Sequence, residues 1–157
     1  MGLRSGEPVL AAVDFSSGAE DAFEWAIDLA RAIGSPLLVV HVAHDPLEEP
    51  GSYVLPDAAS LPIEEAANEM LDEFVRAQRE KHPALDQLCG FSSKVVVGLP
   101  VTRILEFAQS EGAQVIVMGA KGRTALADKL LGSKVQRVAH LSPIPVVVVK
   151  SPPEEGA

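Results

Sequence analysis

Between Gly119 and Arg137 the chain collects Lys121, Arg123, Lys129, Lys134 and Arg137 against the single carboxylate of Asp128. This local excess of positive charge sits in a protein whose formal net charge is -9, from 13 Lys plus Arg and 22 Asp plus Glu. The same stretch, VIVMGAKGRTALADKLLGSKVQRV, opens on Val115 to Met118, an apolar, β-branched run of the length of a buried strand. Gly119 and Gly122 follow, then a loop, then Gly132-Ser133 directly before a helical pattern. Glycine lacks Cβ and suits a backbone that turns sharply or approaches a ligand closely. Ser133 reads as the N-cap of a helix starting at Lys134, and a helix N-terminus favours an anion through its free N–H groups and its dipole. Lys134 in that first turn opposes the dipole unless an anion lies beside it. The chemistry these residue types support together is polyphosphate binding.

The spacing is neither G-x-x-x-x-G-K-[ST] nor G-x-G-x-x-G. It is G-x2-G-x9-G-S, from Gly119 through Gly122 to Gly132 and Ser133, and it resembles the nucleotide-binding signature of the ATP-binding universal stress proteins. Val117-Met118 before the motif, and Pro143-Ile144-Pro145 with a valine run after it, are similar to that family too, and the likeness extends from about Pro8 to Lys150. Gln114 departs from the family's usual aspartate before the strand, and Lys134 from its usual apolar residue after Gly-Ser.

Other reactive types are sparse. His41, His44, His82 and His140 form no H-E-x-x-H, and with Cys89 as the one cysteine a transition-metal site is not expected. Ser133 and Thr124 have no adjacent base in the sequence, so Ser133 reads as a cap and phosphate contact, not a nucleophile. Trp25 lies off the apolar stripe of its helix and reads as packing at an edge.

The elements that must position the loop come from periodicity. Pro8 to Val13 reads as a first strand, followed by Asp14 and by Ser17 and Glu20 at capping-box spacing. Ala22, Phe23, Ala26, Ile27, Ala30 and Ile33 then recur at helical intervals, with Gly34 and Pro36 as stop signals. Leu37 to Val42 is a continuous apolar run of the kind buried in parallel sheets. Ala43 to Pro62 is a long polar connection, which suggests a functional flap or a mobile segment. A helix follows from about Ile63 to Lys81, then a strand over Phe91 to Val97 and a helix over Val101 to Ser110. Strand Val115 to Met118, helix Lys134 to Leu141 and strand Val146 to Val149 complete the pattern. Strands alternating with helices give a single-domain α/β fold with a five-stranded parallel sheet and right-handed crossovers.

At 157 residues the chain is long enough for one well-buried domain, with a core over about 8–150 and a short tail from 151 to 157. The acidic balance argues against nucleic-acid partners, and no apolar run reaches the ~20 residues of a membrane span. The N-terminus lacks the pattern of a signal peptide and the lone cysteine suits a reducing compartment, so a cytoplasmic location is expected.

The resemblance implies a doubly wound fold of strand order 3-2-1-4-5, the adenine nucleotide α-hydrolase-like variant, which places the ligand crevice between strands one and four. It implies ATP as the cofactor, with Mg²⁺ carried by the phosphates. Ala12 and Val13 would lie near the base or ribose, Asp14 near the nucleotide, and the backbone of Val42 at the adenine edge. Met118, Gly119, Lys121, Gly122, Arg123, Gly132, Ser133 and Lys134 complete the expected binding set. The function implied is a nucleotide-dependent regulator of a stress response acting through a protein partner. A weak ATPase or autokinase and a nucleotide-free dimeric scaffold stand as alternatives. The strand Val146 to Val149, apolar and at a sheet edge in that order, is expected to form a homodimer.

Overall fold

The apolar runs form strands β1 (Val9–Ala12), β2 (Leu37–Ala43), β3 (Phe91–Val97), β4 (Val115–Gly119) and β5 (Val146–Val149). In the computed structural model, which describes residues 2–44, 60–121 and 131–151, they make one sheet of order β3-β2-β1-β4-β5. Every pairing is parallel. The central strands are apolar on both sides because helices cover both faces. Val9, Leu10 and Ala11 of β1 and Ile116 and Val117 of β4 are fully buried.

Helices α1 (Ser17–Ile33) and α2 (Ser60–Lys81) cover one face. Their Ala22, Phe23, Ile27, Ala67 and Leu71 pack with Val9, Ala11, Val39 and Val117. Helices α3 (Pro100–Glu111) and α4 (Ser133–Leu141) cover the other, where Ile104, Ala108, Val135 and Val138 meet Leu10, Val40 and Ile116. Alternation along each strand thus splits one continuous run between two cores. Gly34 ends α1 as expected: at φ 67° its N–H reaches the carbonyls of Ala30 and Arg31, a left-handed cap that favours glycine.

Several boundaries differ from the sequence reading. α2 starts at Ser60, a turn before Ile63, with Pro62 in its first turn, where a missing N–H costs nothing. The cap of α1 is Ser16, whose Oγ accepts from Ala19 N–H at 3.2 Å, so Ser17 lies inside the helix and no Ser17–Glu20 box forms. Likewise the cap of α4 is Gly132, not Ser133, because the first helical bond runs from Gln136 N–H to the Gly132 carbonyl. Gln114, before β4, fastens the N-terminal segment. Its side-chain oxygen accepts from Arg4 N–H at 2.7 Å, and its NH₂ donates to the carbonyls of Arg4 and Glu7 at 2.8 and 2.6 Å.

Candidate functional site

The carboxyl ends of β1, β2 and β4 meet where the sheet order reverses between β1 and β4, which is where open α/β sheets hold ligands. Three expected residues share one face there. Ala12, Val42 and Met118, each 8% exposed, belong to the core on the α3/α4 side and form a small apolar floor. Val42 is the next-to-last residue of β2. Val13 turns to the opposite core, and its carbonyl is held by the His41 ring at 2.8 Å from Nδ1.

Beyond β1, Asp14 makes a local turn. Its Oδ1 accepts from the Ser16 N–H at 3.0 Å and from the Ser16 hydroxyl at 2.5 Å, and Ser16 in turn caps α1. The residue between, Phe15, sits at φ 65°, a left-handed conformation that bulky side chains rarely adopt. Its ring packs on His41 at 4.2 Å and near Phe74 at 5.8 Å between centroids. The Asp14–Ser16 turn and this aromatic contact hold the strain beside the crevice, where such conformations tend to concentrate. His41 is therefore a packed strand residue.

Gly119 ends β4 against the first turn of α1. A Cβ on it would lie 2.8 Å from the carbonyl oxygen and 3.0 Å from the carbonyl carbon of Gly18, both backbone atoms. A Cβ on Gly18 would lie 3.2 Å from the Lys121 carbonyl oxygen. The absence of a side chain at Gly119 is thus used inside the protein, by two backbones in contact. Gly132 is different. Its φ of -60° and ψ of 149° suit any L residue, so the backbone conformation gives no reason for a glycine.

The base of the loop is closed by a bond from Gly132 N–H to the Ala120 carbonyl at 2.8 Å, which fixes the start of α4 beside the end of β4. Ser133 is the first residue of α4, and its N-cap, Gly132, has no side chain with which to cap the helix. Its first-turn amides lack intrahelical acceptors, as in any helix. Lys121 stands half-buried at the end of β4, and Lys134 is exposed in the first turn of α4. Gly122 and Arg123, and with them Thr124, Asp128 and Lys129, lie outside the described residues. The structure thus places Ala12, Asp14, Val42, Met118, Gly119 and Lys121 at or just beyond the carboxyl ends of β1, β2 and β4, and Gly132, Ser133 and Lys134 at the start of α4.

One residue there escaped the sequence reading. His44, just past β2, places Nε2 3.0 Å from the Lys134 ammonium across the crevice. The partners are 90 residues apart, so no local spacing could reveal the contact. Among the described residues, no group of three or more His, Cys, Asp or Glu side chains is arranged to hold a metal ion. Among those residues, too, no helix is long and apolar enough to cross a membrane.

The profile of the universal stress protein family matches residues 7–150. A universal stress protein of Thermus aquaticus is 34% identical over 142 residues, covering 90% of this chain and 97% of its own. Among solved structures, a universal stress protein of Archaeoglobus fulgidus in complex with dAMP is 26% identical, with a TM-score of 0.61 over 92% of this chain and 98% of its own. A universal stress protein in complex with cAMP, at 24% identity and a TM-score of 0.65, covers 91% of this chain and 96% of its own and shares the fold.

Proposed function

The chain belongs to the universal stress protein family, and from that premise we propose that it binds ATP in the crevice between β1 and β4 and signals its occupancy to a protein partner. The observation that carries the reading is the convergence, at the sheet's reversal point, of the apolar floor of Ala12, Val42 and Met118 with the start of α4 and its Lys134. A purine fits the floor, with the Val42 backbone at its edge. The phosphates lie toward the first-turn amides of α4, with Lys121 and Lys134 beside them and Asp14 at the ribose side. Gly122 and Arg123 belong to the binding set expected from the glycine motif, and Mg²⁺ arrives held by phosphate oxygens. A relative solved with dAMP supports an adenine nucleotide as the ligand class.

Mass spectrometry of small molecules released from the purified protein should identify an adenine nucleotide. By calorimetry, Gly132→Val should fold normally, since its φ and ψ suit valine, yet bind ATP at least about tenfold more weakly because a side chain stands where the phosphates approach. Equal ATP affinity in the two proteins refutes the loop assignment.

We also propose a homodimer through β5, which among the described residues pairs only with β4. Val146 to Val149 are each half-buried, and an apolar edge of this kind is normally covered or paired. A two-fold axis beside it lets two copies join their strands antiparallel. Sedimentation should give a dimer at micromolar concentration, and Val147→Lys or Val148→Pro should return it to monomer; a dimer indifferent to both has its interface elsewhere.

A further inference from the structure

Lys134 is an unusual choice for its position. A cation in the first turn of a helix is repelled by the N-terminal end of the dipole, and a long, exposed side chain can swing into water at no cost. Here the ammonium instead lies 3.0 Å from His44 Nε2. An ammonium only donates, so Nε2 accepts, and the imidazole carries its proton on Nδ1. His44 follows β2, whereas α4 follows β4, and β1 stands between those two strands. The contact therefore crosses the reversal point, where Ala12, Val42 and Met118 lie in the last two residues of their strands on the α3/α4 side.

We infer that His44 is a positioning residue for this site: it holds the Lys134 ammonium over the crevice, so that the pair selects ligands carrying phosphate over the bare nucleoside. The inference rests on the nucleotide reading given above and adds to it a residue outside the glycine motif. Holding a lysine in place in advance removes part of the rotamer entropy that binding otherwise costs. A phosphate oxygen is a stronger acceptor for an ammonium than a neutral imidazole, because that hydrogen bond joins opposite charges. The phosphate can therefore take over the hydrogen from a donor already in place. A ligand without phosphate gains nothing from the arrangement.

The test is calorimetry with ATP and with adenosine on the whole chain, in the wild type, Lys134→Met, His44→Ala, His44→Gln and the double variant Lys134→Met/His44→Ala. One charge-assisted contact in this exposed setting predicts about tenfold weaker ATP binding for Lys134→Met. His44→Ala should lose about threefold, the loss expected when the lysine is no longer ordered in advance. Adenosine affinity should stay the same throughout. His44→Gln, whose side-chain oxygen can accept from the ammonium, should recover most of the loss. The double variant should be no worse than Lys134→Met, because His44 acts through the lysine. The ¹⁵N resonance of His44 Nε2 should show an unprotonated acceptor nitrogen that shifts in Lys134→Met without any nucleotide. Losses that add in the double variant, or that strike ATP and adenosine alike, overturn the inference. Wild-type ATP binding that Lys134→Met leaves untouched overturns it while sparing the nucleotide reading. A wild type that binds neither ligand defeats both.

Discussion

The two ends of the sheet are built on opposite principles. At the amino end, polar groups are tied to one another. The Gln114 side chain bonds Arg4 and Glu7, its N–H reaches the Pro8 carbonyl, and the Ser35 hydroxyl donates to the Arg4 carbonyl. At the carboxyl end, the closing bonds stop short of the crevice. Gly132 is tied to Ala120, but as the N-cap it offers α4 no side chain, and Lys134 reaches His44 from an exposed position. Hydrogen bonds made within the protein stabilise the fold and leave nothing for a ligand. Donors held in place without a strong acceptor do the reverse. The amino end should therefore govern stability and the carboxyl end binding.

The most severe challenge to that division is Gly119, a crevice residue whose neighbours are backbone atoms of α1. Gly119→Val should cost about 3 kcal/mol or more of stability, because neither the Gly18 carbonyl nor β4 can withdraw from a Cβ 2.8 Å away. Thermal melting checks this, and a stable variant that merely binds less ATP would assign Gly119 to the ligand instead. Next in size is Gln114→Ala, which strips the hydrogen bonds that hold the N-terminal segment and should cost about 2 kcal/mol. Its ATP affinity should equal the wild type's; a coupled loss would mean the two ends are not independent. The smallest effect belongs to Ser16→Ala. Losing the α1 cap should lower stability by about 1 kcal/mol. It also removes one of the two bonds that hold the Asp14 carboxylate, leaving the one from the Ser16 N–H, so a small loss of ATP affinity should accompany it, placing Ser16 in both groups.

The strands were the most legible part of the sequence. Burial on both faces demands continuous apolar runs, and Leu37–Ala43 and Val115–Gly119 carry them. Their order followed from the family resemblance, since periodicity says which residues are buried but not which strands are neighbours. Both serine caps were misplaced by one residue. Ser16 and Ser17 are chemically alike, and where β1 releases the chain decides which of them turns its hydroxyl to the helix. At α4 the bond from Gly132 to Ala120 sets the phase, so the glycine takes the cap position and the serine enters the first turn. His44 and Gln114 were the least legible. Their partners lie 90 and 110 residues away, and a lone histidine or glutamine in a sequence carries no sign of what it will meet. Trp25 was expected to pack at an edge, and it lies 43% exposed on α1.

The strand order also sets a timetable for synthesis. β1 is made first, yet it lies at the middle of the sheet, between β2 and β4. Its partner on one side, Leu37–Val40, follows soon after; the other, Val115–Val117, comes much later. At the roughly 5–20 residues per second of translation, the interval between them is about four to fifteen seconds. Throughout that time a nascent chain can pair β1 with β2 but cannot cover its other edge. That edge ends up in the driest part of the molecule, and while open it is a template for any extended strand nearby. The growing chain therefore exposes its most aggregation-prone backbone in the middle of its synthesis, and the arrival of β4 ends the exposure and builds the crevice in one step.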